Sequence, residues 1–371
     1  MRIAFVSRHP APYRDPLLRR LTSEEPKFRT DVYCELSFDA GHSFWNLENS
    51  GYEMRPLFDK GQSRLMRFYA CVKNLVLGRY DLIVWSGFMH VETTLACLLC
   101  AIIGKRYAFT ADTVKSRSRG GVRRLIKGFI ARRASFILVP GLAGIDFWHK
   151  EFGIPTERIL KGAYALDGAK IAETVEKRRQ ERDLIREKYG IAKDAVVFLM
   201  VANMLPTRHY QVTAEGFLKF AKAHSRCQFV AVGRGPELDR MQSLSQRNPE
   251  LVVVPGCSFD EMLSLYSAAD VYVHGGTEPA STALVIGAIS GLPIISSDAV
   301  GCSYDVLEDG ESGLKVGNYL SSDDWCMAFE KMIKARENWS GMGHKARDLS
   351  RVLDVDAVYS GILGRIMRTV V

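Results

Sequence analysis

Short apolar runs that alternate with stretches of helical period limit this chain to very few folds. Arg2 to Val6, Thr30 to Cys34, Leu82 to Trp85, Tyr107 to Thr110 and Phe136 to Val139 each precede a helical pattern or a turn. After the highly charged segment Glu173 to Lys188 the pattern resumes with Val196 to Val201, Gln228 to Val232, Leu251 to Val254, Val271 to Val273 and Pro293 to Ser296. Apolar runs of this length, each followed by a helix, build βαβ units and a parallel sheet. At 371 residues the chain exceeds one ordinary domain and fits two. The expectation is an α/β protein of two doubly wound domains with a boundary near Asp167 to Gly190. No repeat period of about 20 to 50 residues runs through it, which argues against a solenoid.

Composition removes other classes. A hydrophobic content of 47% with 25% charged residues is that of a globular chain. The start, "MRIAFVSRHPAPYRDP", holds an apolar run too short for a signal peptide, so a cytoplasmic protein is expected. The most apolar stretch, Thr93 to Ile103, falls well short of the ~20 residues that span a bilayer and reads as a core helix. The 8 cysteines are scattered, and the Cys97 and Cys100 pair lacks the further ligands of a zinc site, so core cysteines in a reducing compartment are expected.

The net charge of +8 asks for an acidic partner. Eight of the basic residues lie between Lys115 and Arg133 with no acidic one among them, while Val122, Leu125, Ile126, Phe129 and Ile130 recur at helical spacing. Such a helix suits an anionic membrane surface, and equally a helix packed on a sheet with a solvated basic face. Nucleic acid is not expected, because no zinc-finger spacing or RNP-type aromatic signature accompanies the charge.

Ligands of open α/β sheets bind at the carboxyl ends of strands, where helix N-termini attract anions. After Val201 come Asn203, Arg208 and His209, and a guanidinium there suits a phosphate. After Val232 comes Gly233-Arg234-Gly235, where the missing side chains let a ligand approach; the third glycine of a dinucleotide fingerprint is absent. After Val273 comes Glu278, ahead of a helix Ser281 to Ser290. A carboxylate so placed either caps the helix or reaches a ligand at its N-terminus.

The succession "VANMLPTRHY", "VGRGPELDRM" and "GCSFDEMLSLYSAADVYVHGGTEPASTALVIGAISGLP" resembles the nucleotide-sugar half of glycosyltransferase family 4, retaining enzymes of the GT-B fold. "RHPAPYRDPLLRRL" and "VPGLAGIDFWHKEFGIPTERILKGAYALD" resemble the family's first domain. The resemblance implies two Rossmann-like domains facing a central cleft. Residues 1–170 would bind the acceptor, 190–354 the nucleotide sugar, and a helix near 355–371 would pack back on the first domain. It implies a metal-independent hexosyltransferase with no cofactor beyond its nucleoside-diphosphate-sugar donor, as in bacterial polysaccharide biosynthesis. The acceptor would be a glycan or lipid-linked glycan, met at the inner face of the membrane.

By the same resemblance Glu278 opens an E-x7-E motif and lies by the donor sugar. Ser281, Thr282 and the adjoining Ala283 offer backbone N–H groups to phosphate or sugar, Arg208 clamps phosphate beside His209, Asn203 stands where an Arg is common, and Gly233, Arg234 and Gly235 lie near the base. His90 and Asp112 are the catalytic candidates of the first domain, with His9, Tyr13 and Arg14 on the acceptor side. The motif's second Glu, which accepts ribose hydroxyls in the family, is Ile286 here. That departure keeps a second reading open, a catalytically silent GT-B protein that binds a glycan or a partner subunit. An epimerase or phosphorylase of the same fold is a third.

Overall fold

The computed structural model describes residues 1–8, 13–23, 28–35, 51–59, 61–88, 90–112, 114 and 121–370. The chain divides into two units, Met1–Leu166 with Leu353–Val371, and Asp167–Val352.

The first unit holds a parallel sheet of strands β1 (Arg2–Ser7), β2 (Arg29–Cys34), β3 (Met54–Pro56), β4 (Leu82–Trp85), β5 (Tyr107–Thr110), β6 (Ile137–Val139) and β7 (Ile159–Lys161), in the order β3-β2-β1-β4-β5-β6-β7. The second holds β8 (Val196–Val201), β9 (Cys227–Val232), β10 (Leu251–Val254), β11 (Val271–His274), β12 (Ile294–Ser297) and β13 (Gly313–Val316), in the order β10-β9-β8-β11-β12-β13. Each is a Rossmann-like sheet with a single reversal of winding, between β1 and β4 in the first and between β8 and β11 in the second. Crevices open where winding reverses, because the loops on either side leave in opposite directions.

Helices cover both faces, which is why the strands read as unbroken apolar runs. Every residue of β4, β5 and β8 is buried. The helix Val355–Val370 lays Val358, Ile362 and Ile366 into the same apolar cluster as Ile3, Phe5 and Leu138, so the C-terminal segment completes the first unit. In the second unit Arg186 is buried and donates to the carbonyls of Ala268, Lys193 and Ala195 and to Asp270 at 3.1 Å. Asp270 in turn accepts the N–H of Val197, so this pair ties the helix Arg182–Lys188 to the start of β8 and β11.

Two helices differ from expectation. Val91–Ile103 is buried along Thr93, Ala96, Cys97, Cys100 and Ala101 and leaves Leu95, Ile102 and Ile103 exposed, so it is a one-sided cover rather than a core helix. Val122–Arg133 turns Ile130, Ala131 and Gly128 inward while Val122 and Leu125 stand about 70% exposed. Its Lys127 does not join a basic outer face. The ammonium lies 4.9 Å from the Trp148 ring centroid and 5.4 Å from that of Phe88, and burial pushes it below the ordinary lysine range. Lys115 to Gly120 lie outside the described residues.

Candidate functional site

The reversal between β8 and β11 brings three loops together. After β8 the chain runs through Asn203 and a short turn, Pro206–Arg208, to His209, which starts the helix Tyr210–Ala221 in the left-handed region at φ 54°. His209 is the one non-glycine residue with positive φ among those described. That turn is laced to the loop after β11, since Thr277 N–H donates to the Thr207 carbonyl at 3.2 Å. A Cβ on Gly275 would lie 2.5 Å from the Thr213 hydroxyl and 2.9 Å from the Arg208 carbonyl, so only glycine lets the two loops touch.

Glu278 lies at the centre of this contact, 8% exposed. One carboxylate oxygen faces His274 Nε2 at 2.8 Å and the other faces Arg208 Nη1 at 2.5 Å. Behind His274, the Tyr272 hydroxyl lies 3.1 Å from Nδ1. The network assigns the imidazole proton to Nε2, with Nδ1 accepting from Tyr272. Burial raises the Glu278 pKa, and the His274 ring and the Arg208 guanidinium outweigh it, so the carboxyl is held below its ordinary range. Glu278 is therefore an ionised group in a largely dry place. Arg208 Nε is buried and meets no acceptor among the described residues, which leaves one donor edge of the guanidinium for a ligand.

Glu278 does not cap the helix. Ser281 does, its hydroxyl accepting the Leu284 N–H at 3.3 Å at the start of Thr282–Ile289. The Ser281 N–H is itself given to the Cys302 thiol at 3.1 Å, so of the three backbone donors expected there, Thr282 and Ala283 remain as the first-turn groups without an intrahelical acceptor. Ile286 lies on this helix at 1% exposure.

The glycines after β9 serve a different purpose from the one expected. A Cβ on Gly233 would fall 1.9 Å from the Ala202 carbonyl, and one on Gly235 2.5 Å from that of Met204. What approaches their backbone is the loop after β8, held by Met204 N–H to Arg234 O at 2.7 Å. A ligand need not be invoked for them. Arg234 donates through Nε to the Pro255 carbonyl, and Asn203 is exposed. His209 stacks obliquely on Tyr319 at 5.4 Å, and burial holds its imidazole below the ordinary range.

In the first unit Tyr13 packs on Tyr164 with ring centroids 4.8 Å apart. Arg14 is buried, donates to the Ser7 hydroxyl at 3.3 Å, and lies in the field of Asp112, itself exposed after β5. His90 precedes the helix Val91–Ile103 and faces Glu35 at 3.6 Å. His9 lies outside the described residues. Sequence reasoning missed His274 and Glu35, although each ends or directly follows a strand.

Comparison with known proteins now bears on this arrangement. Residues 181–349 match the family model of the glycosyl transferases group 1. That span lies within the second unit and includes every residue of the Arg208, His274 and Glu278 network. Two curated relatives are similar over parts of the chain. One is an alpha-monoglucosyldiacylglycerol synthase of Acholeplasma laidlawii, 25% identical over 135 residues, 35% of this chain and 33% of the relative. The other is a lipopolysaccharide 1,2-N-acetylglucosaminetransferase of Salmonella typhimurium, 24% identical over 184 residues, 46% of this chain and 48% of the relative. The chain thus spans between a third and about half the length of the curated relatives it matches. Among solved structures, Anabaena Alr3699/HepE in complex with UDP superposes with a TM-score of 0.74 over 99% of this chain and 100% of that one, at 16% identity. The fold is GT-B.

Proposed function

We propose that the chain is a retaining glycosyltransferase that moves a sugar from a nucleoside diphosphate to a hydroxyl of a glycan or glycolipid. The observation that carries this reading is the Arg208, Glu278 and His274 network at the winding reversal of the second sheet. Breaking the donor's anomeric bond leaves negative charge on the diphosphate and positive charge on the sugar. In this reading Arg208, whose Nε has no partner among the described residues, and the first-turn N–H groups of Thr282 and Ala283 meet the first. Glu278, kept ionised by its two partners, stabilises the second from beside the sugar, and His274 fixes its orientation. Retention follows if the acceptor attacks from the side the diphosphate leaves, with a diphosphate oxygen taking the acceptor proton.

The donor reading gains support from HepE, a protein of the same fold whose structures hold UDP and UDP-glucose. The acceptor reading gains support from the two curated relatives, whose names specify a diacylglycerol glycolipid and a lipopolysaccharide. No helix among the described residues is long and apolar enough to cross a membrane. The first unit instead offers a surface to one. Three helices packed side by side, Arg64–Cys71, Val91–Ile103 and Val122–Arg133, expose Leu65, Met66, Tyr69, Ile102, Val122 and Leu125 with exposed Arg64, Arg106 and Arg123 among them. We assign this face to an anionic membrane.

Calorimetric titration with UDP, GDP and dTDP tests the proposal. Micromolar binding of one nucleotide, weakened by Arg208→Ala, is the expected result. A second reading, a silent member of the group, rests on Ile286, whose buried side chain offers a ribose no acceptor. Absence of binding by all three nucleotides would favour it.

A further inference from the structure

His274 ends β11 with no solvent exposure, and the bonds around it call for one more proton than a neutral ring supplies. The Tyr272 hydroxyl lies 3.1 Å from His274 Nδ1 and 3.2 Å from the Val201 carbonyl, with a single proton for the two. While the ring is neutral that proton goes to Nδ1, and the Val201 contact has none. A second proton on the imidazole fills every bond of the string. Nε2–H then meets Glu278, Nδ1–H meets the Tyr272 oxygen, and the Tyr272 O–H meets Val201. The string holds a place for a proton that the resting site does not need.

An arriving diphosphate creates the need. Glu278 is buried, and Arg208 is the one permanent cation in contact with it among the described residues. A sugar diphosphate brought against that guanidinium sets its charge beside the carboxylate, and the two anions share one cation. We propose that binding of a nucleoside-diphosphate sugar draws a proton onto His274, whose imidazolium then keeps Glu278 ionised beside the diphosphate. The inference rests on the glycosyltransferase reading of this site and adds its coupling to pH. The protons balance: buffer gives one to Nδ1, the Tyr272 proton turns from Nδ1 to the Val201 carbonyl, and no other bond changes. His274 is thus a positioning residue that acts through Glu278. The other titratable groups around the string are Tyr266, stacked on Tyr272 at 5.5 Å, and Tyr210 and Cys302, which lie in the field of Glu278. Burial drives these three and Tyr272 far above their ordinary ranges, so they already hold their protons. Glu278 itself and His209 are the rival acceptors, since the field of Glu278 also reaches His209. A proton on Glu278 would remove the charge that faces the sugar, and burial holds His209 below its ordinary range.

Calorimetry of the full chain with UDP-glucose, GDP-mannose and dTDP-glucose, at one pH in buffers of different ionisation enthalpy, counts the protons taken up. Sugar conjugates serve better than free diphosphates, because their diphosphate has no group that titrates near neutrality. The parent should take up a proton or part of one with its donor, and its affinity should fall as pH rises, by up to about tenfold per pH unit. His274→Gln, which still offers an N–H to Glu278, and Tyr272→Phe, which removes the acceptor of Nδ1–H, should bind with that uptake lost or reduced. Nitrogen NMR of the imidazole reads the same event in the unaltered protein, where Nδ1 should change from acceptor to donor on binding, so the test does not depend on either variant folding. Binding whose enthalpy is the same in every buffer overturns the inference. So does uptake that persists in full in His274→Gln, which would put the proton on Glu278 or His209. If none of the three conjugates binds, the glycosyltransferase reading falls and takes this inference with it.

Discussion

Replacing Glu35 by Gln should stabilise the first unit, and by an amount that depends on pH in a defined way. In the unfolded chain this carboxyl ionises near its ordinary value of 4.5, and in the folded chain at about 7. Between those values the unfolded state has released a proton that the native state still holds, so stability falls as pH rises through the window and the loss is complete above about 7. At about 1.4 kcal/mol for each pH unit the loss is about 3 kcal/mol. Glutamine keeps the carbonyl that accepts from Ser86 and has no proton to lose. The Gln variant should match the parent near pH 4.5 and exceed it by about 3 kcal/mol at pH 8. Urea unfolding, followed by hydrogen exchange in peptides from β1 and β4 so that the first unit is read alone, measures the difference at each pH. A difference that stays flat across the window would refute the argument, because it would mean that Glu35 finds a partner or water absent from this account.

Other outcomes follow from the same geometry. Arg208→Ala should weaken nucleotide-diphosphate binding by about tenfold to a hundredfold by calorimetry, the worth of a charge-assisted contact. Arg186→Ala should lower the stability of the second unit by about 1 to 3 kcal/mol in thermal unfolding, since it leaves the buried carbonyls of Ala268, Lys193 and Ala195 without their donor while Arg182 still pairs with Asp270 at 2.7 Å. Gly233→Ala should cost about 1 to 3 kcal/mol with no nucleotide present, because its methyl group would collide with the Ala202 carbonyl. Replacing Val122 and Leu125 by Asp should reduce sedimentation with anionic vesicles, whereas Lys127→Gln should leave it unchanged; the reverse order would remove the membrane assignment.

Much of the fold was legible because parallel strands covered on both faces must be apolar throughout. Leu82–Trp85, Tyr107–Thr110, Val196–Val201 and Leu251–Val254 end where their apolar runs end. Strands β3, β7 and β13 escaped notice for the same reason. "MRP" is a short edge strand with a Pro and no buried residue, and "GLKV" alternates with a Lys and buries only its ends. The loops after β8 and β11 could be picked out as a candidate site, since a ligand crevice follows from topology. What they do to each other could not. Arg208 and Glu278 are 70 positions apart, and their contact depends on Gly275 being too small to hold the loops away from each other. His274 carried a signal in its two-residue spacing from Tyr272, which places both on one face of β11. Glu35 carried almost none, because its neighbours Ser86 and His90 come from the loop after β4, on the far side of β1 in the sheet. The helix Val122–Arg133 misled through its composition. A lysine stem is apolar enough to lie against tryptophan, so a basic residue on a helix does not mark the wet face.

The thiol of Cys302 supplies the protein with a clock of its own. It accepts the Ser281 N–H at 3.1 Å and lies 3.6 Å from the Ser281 carbonyl, at 1% exposure, and burial raises its pKa well out of the reactive range. The segment from Glu278 to Ser281 packs on it, so the rate at which a thiol reagent modifies Cys302 should rise with openings of that segment. Of the other seven cysteines, Cys34, Cys71, Cys97, Cys100 and Cys227 are also buried, and Cys257 and Cys326 can be replaced by Ser at their half-exposed positions to leave a quiet background. A ligand held at the head of the neighbouring helix would slow that clock without touching the sulfur. The protein can therefore report on what it binds through a side chain that takes no part in the binding.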